Sequence, residues 1–111
     1  MTRVKSGVLV SAALRYANTM LIDCVLERRG DADAGAIFVR IDTLDGRHKL
    51  LARSLNFDGE YEWHIITNTE WVDAEAAATR LAAEIKMDQD AFIVSVCDAE
   101  ARNPFDVLRL V

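Results

Sequence analysis

The sequence predicts an α+β fold, in which a four-stranded antiparallel meander is combined with two helices and an additional C-terminal strand. Apolar residues alternate with polar ones in several short segments, and they recur at helical spacing before and after the first four of these segments. Asp-Gly pairs at positions 45–46 and 58–59 mark turns between segments. The length of 111 residues fits a single domain, with residues 98–111 as a candidate for a loosely packed tail.

Residues 8–10 are predicted to form either a short strand or the first turn of a helix, and Ser11 is a candidate N-cap for a helix that ends near Met20. The Ser11 hydroxyl can accept a hydrogen bond from an amide of the first helical turn. Asn18 and Thr19 weaken the helix and place its end. Apolar residues recur at helical spacing after Ser11, at Ala13, Leu14, Ala17, Met20 and Leu21.

Four strands are predicted, over residues 21–28, 36–42, 47–55 and 60–67. We expect the first strand to pair with the second, and the turns to set Asp42 opposite Arg47 and Leu55 opposite Glu60. This register divides the sheet into an apolar face and a charged face. The apolar face would carry Ile22, Cys24, Leu26, Ile37, Val39, Ile41, Leu50, Ala52, Tyr61, Trp63 and Ile65.

The second helix is expected to cover the apolar face. Asp73 is its predicted N-cap, and Glu75 and Lys86 suit the positive and negative ends of the helix dipole. Its apolar stripe consists of Ala74, Ala77, Ala78, Leu81, Ala82 and Ile85. The last strand is predicted from the alternation of Phe92, Val94 and Val96.

Composition excludes several classes of function. There are 13 basic and 18 acidic residues, a formal net charge of -5, so we expect neither nucleic acid nor an anionic membrane surface as a partner. The apolar run at residues 8–14 ends at Arg15 without a clear cleavage site, which favours a cytoplasmic protein over a secreted one. Cys24 and Cys97 lack the close spacing of zinc or redox motifs, and we expect both to be reduced.

Five segments carry a resemblance to a known family: residues 5–7, 28–35, 44–46, 88–97 and 102–105. The most specific is the 28–35 segment, which reads Arg-Arg-Gly-Asp-Ala-Asp-Ala-Gly. By these segments the chain resembles the DUF1491 family, small alphaproteobacterial proteins of unknown function, although Phe92 stands where relatives often have tryptophan. The resemblance implies a fold family and a bacterial cytoplasm, but no activity, substrate or catalytic residue.

The 28–35 loop is the candidate ligand site. Arginines could grip a phosphate or carboxylate, glycines let backbone amides approach a ligand, and aspartates could bind a hard cation. The alternative, which we favour, is a solvated strand connection in which the arginines and aspartates pair with each other. The candidate residues are Arg28, Arg29, Gly30, Asp31, Asp33 and Gly35.

A second candidate surface follows from the register. Phe38, Leu51 and His64 would lie in a row on the charged face, as an apolar interface core with a polar rim. His48 would lie on the covered face, so the two histidines could not share a metal ion. No serine or cysteine has an evident histidine partner, and we expect no catalytic residue, metal or cofactor.

Two functions therefore stand side by side. The favoured one is a non-catalytic protein-interaction module, either a homodimer or a module that binds another protein. The alternative is a protein or small enzyme that binds an anionic small molecule through the 28–35 loop. The apolar tail residues Phe105, Val107, Leu108, Leu110 and Val111 are expected to dock on the domain itself.

Overall fold

The structure is a computed structural model, described here for residues 4–108. It confirms the α+β class, with two helices and a five-stranded sheet in one domain. Among the described residues, no helix has the length and apolar character needed to cross a membrane. The elements are α1 (Ser6–Thr19), β1 (Asp23–Arg28), β2 (Ile37–Asp42), β3 (His48–Leu55), β4 (Tyr61–Ile65), α2 (Ala74–Met87), β5 (Phe92–Cys97) and a 3₁₀ helix (Pro104–Val107).

The sheet has the strand order β1-β5-β2-β3-β4. The predicted pairing of the first two strands is wrong, because β5 lies between them, antiparallel to β1 and parallel to β2. Its consecutive residues Phe92, Ile93 and Val94 are all buried, as is typical of a strand covered on both faces. Only β2, β3 and β4 form an antiparallel meander.

The register of the meander differs from the prediction by one residue. Asp42 pairs with His48, and Leu55 pairs with Tyr61, because each turn contains one residue more than expected. Since neighbouring residues of a strand point to opposite faces, the first shift moves the β3 side chains to the other face relative to β2, and the second shift returns the β4 side chains to the face predicted for them.

Each face of the sheet is covered by one helix. On the α1 face, Leu9, Val10, Ala13 and Ala17 of the helix pack in one core cluster with sheet residues. On the α2 face, Ala77 and Leu81 pack with Phe38, Leu50 and Ile93. The prediction that the second helix covers Ile37, Val39 and Ile41 is therefore wrong: α1 covers them, and α2 covers the opposite face of β2, which was expected to be charged.

The predicted N-cap of α2 is confirmed. Asp73 accepts a hydrogen bond from the amide of Ala76 at 2.8 Å through its Oδ1 atom, and Glu75 and Lys86 lie in the first and last turns. The candidate N-cap Ser11 of α1 is wrong, because the helix begins at Ser6 and Lys5 makes no side-chain capping bond. Of the two alternatives for residues 8–10, the helical one is confirmed.

The segment after β5 packs on the α1 face as far as it is described. Asn103, Pro104 and Phe105 are buried, and the Phe105 ring lies 5.0 Å from the ring of Trp63. Leu108 packs against the same cluster. Val107, which was also predicted to dock, is exposed. Leu110 and Val111 lie outside the described residues.

Candidate functional site

The 28–35 loop caps the start of α1. The amide of Gly7 donates to the carbonyl of Ala32 at 2.8 Å, and that of Ser6 donates to the carbonyl of Asp33 at 3.4 Å. The Ser6 hydroxyl donates to the carbonyl of Gly35 at 2.7 Å. First-turn amides have no partner inside a helix, so these loop carbonyls explain why α1 begins at Ser6.

The two glycines of the loop allow a close approach to the α2–β5 connection. A Cβ atom on Gly30 would lie 2.6 Å from the backbone carbon of Ala91 and still closer to the Asp90 carbonyl oxygen. One on Gly35 would lie 2.5 Å from the same Asp90 oxygen. Asp90 also accepts a hydrogen bond from the amide of Asp31 at 2.8 Å. The glycines therefore make room for another backbone segment of the same chain.

The two aspartates of the loop are engaged within the molecule. Asp31 Oδ2 accepts from the amide of Ala34 at 3.0 Å, which shapes the loop itself. Asp33 pairs with Lys5 at 3.3 Å, although both side chains are largely exposed. They do not pair with the arginines, contrary to the favoured interpretation of the loop.

The two arginines of the loop have different surroundings. Arg28 lies opposite Ile93 on the α2 face and donates through Nη2 to the carbonyl of Gln89 at 2.6 Å. Arg29 is exposed. Of the six predicted ligand residues, Arg28 alone lines the groove between α2 and the sheet.

The predicted row of Phe38, Leu51 and His64 is not formed. Phe38 pairs with Ala52 and is buried under α2, whereas Leu51 is buried in the cluster on the α1 face. His64 lies opposite Ala52 on the α2 face and is exposed. The shift in register places Leu51 on the opposite face from Phe38 and His64, and Phe38 is buried, so the three side chains do not form a joint interface.

His64 has a serine partner that sequence reasoning missed. Its Nε2 lies 2.6 Å from Ser54 Oγ, and both residues lie on the sheet surface. In a nucleophile–base pair, a third group orients the base. Among the described residues, no hydrogen bond to the other ring nitrogen of His64 provides this orientation. His48 and His64 both face α2, contrary to prediction, but in the described part of the chain no three metal-binding side chains are grouped.

A groove lies between α2 and the β1–β5 side of the sheet, with a volume of about 570 Å³. We call it the α2 groove. Its wall combines apolar side chains of α2 with charged side chains of the strands and of the end of α2. It is lined by Glu27, Arg28, Arg40, Ala78, Leu81, Ala82, Ile85, Lys86, Gln89 and Ile93.

Arg40 is held at the groove by a buried histidine. Arg40 Nε donates to His48 Nδ1 at 3.4 Å, and His48 Nε2 lies 4.0 Å from Asp42 Oδ1. Because Nδ1 accepts, the ring proton of a neutral His48 belongs on Nε2, toward the carboxylate. The signal in the sequence was an arginine inside the otherwise apolar run of residues 37–41.

The two cysteines are free thiols on opposite faces of the sheet. Cys24 packs against the core cluster on the α1 face, while Cys97 faces the α2 side. Burial, with the nearby charge of Asp23, raises the pKa of Cys24 to about 11. Burial also raises the pKa of Cys97. Thiols of this kind are poor nucleophiles at neutral pH.

A second cavity, of about 400 Å³, lies on the α1 face beside Trp63 and Phe105. Its charged wall residues are Arg53 and three carboxylates, Glu60, Glu62 and Asp106. Its electrostatic character is therefore opposite to that of the α2 groove.

Comparison with solved structures supports the fold. A protein of the DUF1491 family from Caulobacter crescentus has a TM-score of 0.83 and 23% identity, covering 92% of this chain and 94% of that one. The protein Atu0922 from A. tumefaciens has a TM-score of 0.76 and 27% identity, covering 93% and 92%. An NMR structure of a DUF1491 family protein from Caulobacter crescentus has a TM-score of 0.76 and 26% identity, covering 94% of each chain.

Among curated proteins, none matches the chain. The model of the family described as "Protein of unknown function (DUF1491)" matches residues 4–106. This match spans nearly the whole chain, so the protein belongs to the DUF1491 family.

Proposed function

We propose that this protein is a binding module for another protein. Its α2 groove binds a segment of that partner that has both acidic and apolar side chains. The observation that supports this is the charge of the groove. Arg28, Arg40 and Lys86 line it, against the single carboxylate of Glu27. The rest of the wall is mainly apolar, so a partner with both acidic and apolar side chains is complementary to it.

Unused hydrogen-bonding capacity supports the same proposal. Within the described part of the chain, Arg28 Nε and Ser95 Oγ are buried and have no hydrogen-bond partner. Ser95 of β5 pairs with Arg40 of the neighbouring strand β2, and both side chains lie on the α2 face. Because buried donors normally have partners, a carboxylate that reaches this face would satisfy groups that the chain itself leaves unmatched.

The width of the sheet leaves room for the partner. Five strands spaced about 4.8 Å apart are roughly twice as wide as one helix with its side chains. The only described helix on this face is α2, and Val25 of β1 is exposed there. The α2 groove thus runs alongside a part of the sheet on which a segment of a partner can lie.

We further propose that the protein works in the bacterial cytoplasm. Both cysteines are free thiols, as is usual in a reducing compartment. The net charge of -5 favours a protein partner over a nucleic acid.

Selection of a random peptide library on the purified full chain tests this function. We expect the selected peptides to be rich in Asp and Glu beside apolar residues, and their affinity to fall at high salt. Arg28→Gln and Lys86→Gln should each weaken binding of a selected peptide by about tenfold, or 1.4 kcal/mol. Arg29→Gln is the matched control, since Arg29 is exposed and does not line the α2 groove.

Two outcomes would overturn the proposal. One is selection of peptides without acidic residues. The other is equal affinity for wild type, Arg28→Gln and Arg29→Gln, with thermal melts showing that all three proteins are folded.

A further inference from the structure

Three turns at one end of the sheet contain unusual backbone conformations. Leu21, Leu44 and Ala101 have φ values of 58°, 68° and 56°, and they are the only described non-glycine residues with positive φ. They precede β1, follow β2 and follow β5, respectively. The first residue of β1 and the last residue of β2 both pair with Cys97, the last residue of β5, so all three turns leave the sheet at the same end.

Leu21 occupies a position at which glycine is the usual residue. The amide of Ile22 donates to the carbonyl of Ala17 at 2.8 Å, and the amide of Leu21 donates to that of Asn18 at 3.2 Å. This is the Schellman arrangement at a helix end, in which the left-handed residue is most often glycine because a Cβ atom is crowded there. At Leu21, a bulky apolar side chain stands in the strained position.

Of the three strained residues, the two leucines point away from the protein, whereas Ala101 packs against the core cluster on the α1 face. Leu21 is 90% exposed, Leu44 is 67% exposed and Met20, beside Leu21, is 45% exposed. Neither leucine gains compensating burial within its own chain. Residues with strained backbone conformations cluster at functional sites, including sites that bind a ligand or partner.

The two turns are close enough to contact one partner. β1 and β2 are separated only by β5, and two strand spacings amount to about 10 Å. Met20, Leu21 and Leu44 are thus exposed at one end of the sheet within reach of a single partner, and we call these three residues the leucine surface. It lies at the opposite end of the sheet from Arg28 and Gln89 of the α2 groove.

The residues around the leucine surface are mostly acidic. Arg47 and Arg102 are each paired with a carboxylate, of Asp45 and Asp98 respectively. Additional carboxylates belong to Asp23, Asp42 and Glu100. Two copies of this chain would bring like charges together at the rim, which disfavours a homodimer through this surface.

We infer that the leucine surface is a docking site for a second protein whose contact region has apolar side chains at its centre and lysine or arginine residues around them. An apolar centre with a complementary charged rim is the usual construction of a protein interface. This inference is independent of the α2 groove, because it uses neither its residues nor its charge.

The test begins with photocrosslinking in the native bacterium. p-Benzoylphenylalanine is placed at position 44 and, as the matched control, at position 57. Phe57 is a fully exposed apolar residue in the β3–β4 turn, at the other end of the sheet. We expect a crosslink to another protein from position 44 and not from position 57.

The purified pair then tests the surface itself. The double variant Leu21→Gly, Leu44→Gly should weaken binding by at least about tenfold, whereas Phe57→Gly should leave it unchanged. Glycine suits both left-handed positions, so the double variant should melt no lower than wild type. Binding should also weaken with added salt.

Several results would overturn the inference. They are the absence of a crosslink at position 44, a crosslink between two copies of this chain, and equal crosslinking from both positions. Unchanged affinity of the double glycine variant would also overturn it. A partner whose binding depends on Arg28 but not on Leu21 or Leu44 would support the α2 groove and overturn the leucine surface.

Discussion

Gly30→Ala should destabilise the protein strongly in the absence of any ligand. The added Cβ atom would lie 2.6 Å from the backbone carbon of Ala91 and 2.7 Å from the amide nitrogen of Phe92. Both contacts are with backbone, so no side chain can rotate away. The 28–35 loop would have to separate from the α2–β5 connection.

The magnitude follows from what this separation breaks. Overpacking of a filled site costs about 1–3 kcal/mol, and loss of the 2.8 Å hydrogen bond from the Asp31 amide to the Asp90 carbonyl adds about 1 kcal/mol. We expect a loss of about 3 kcal/mol, which for a domain of this size lowers Tm by roughly 12 °C.

Urea unfolding and thermal melts followed by circular dichroism would measure the loss. Gly59→Ala is the control, because nothing lies within 4 Å of its added Cβ atom and only its φ of +80° is unfavourable. We expect that control to lose about 1 kcal/mol. If Gly30→Ala were no less stable than Gly59→Ala, the assignment of Gly30 to backbone packing would be refuted.

Three further outcomes are expected. Leu21→Gly should raise Tm by about 2–4 °C, because relief of about 1–2 kcal/mol of left-handed strain exceeds the entropy cost of glycine of about 0.5–1 kcal/mol; a lower Tm in circular dichroism melts would contradict this. The guanidinium of Arg102 lowers the pKa of Asp98, so the pair stabilises the fold above the carboxyl's ordinary pKa and loses its effect as pH falls through the lowered one. Arg102→Ala should therefore unfold at less urea than wild type at neutral pH, with the difference vanishing in strong acid, and a difference independent of pH would exclude this linkage. Cys24, with its pKa near 11, should react with a thiol reagent at about pH 7.5 roughly two orders of magnitude more slowly than a free cysteine. Unfolding should abolish this protection, and rapid labelling of the native protein would argue against the burial of Cys24.

The elements themselves could be predicted from local patterns. The apolar stripe and the Asp73 cap of α2 depend on neighbouring residues. The structure confirms the cap and the packing of Ala77, Leu81 and Ile85, whereas Ala74, Ala78 and Ala82 of the predicted stripe are exposed. The start of α1 could not be predicted in this way. The partners of its first amides are carbonyls of Ala32 and Asp33, which are separated from the helix by the whole of β1.

The register depended on two turns whose length the sequence left open. Leu44 adopts a left-handed conformation that its side chain disfavours, and Gly46 adopts another, so the β2–β3 turn holds one more residue than an Asp-Gly pair suggests. An error of one residue was enough to exchange the faces of Leu50 and Leu51. The predicted row through Leu51 depended on that register and failed with it.

The α2 groove lay beyond sequence reasoning because its walls come from β1, β2, β5 and α2. Of the residues that line the α2 groove, only Arg28 was predicted as a site residue, and that prediction assigned it to a ligand site in the 28–35 loop. The consecutive apolar residues of β5 could have indicated a central strand. That placement would have separated β1 from β2 and set Arg40 between Ser95 of β5 and Leu50 of β3.

The central position of β5 constrains how the protein is made. During synthesis, β1 and β2 leave the ribosome well before residues 92–97, and until then each has an open edge where β5 belongs. An unpaired strand edge readily pairs with another chain. A nascent chain of this protein thus completes its sheet only when its last strand has emerged, and a ribosome that stalls before that point leaves a fragment prone to aggregation.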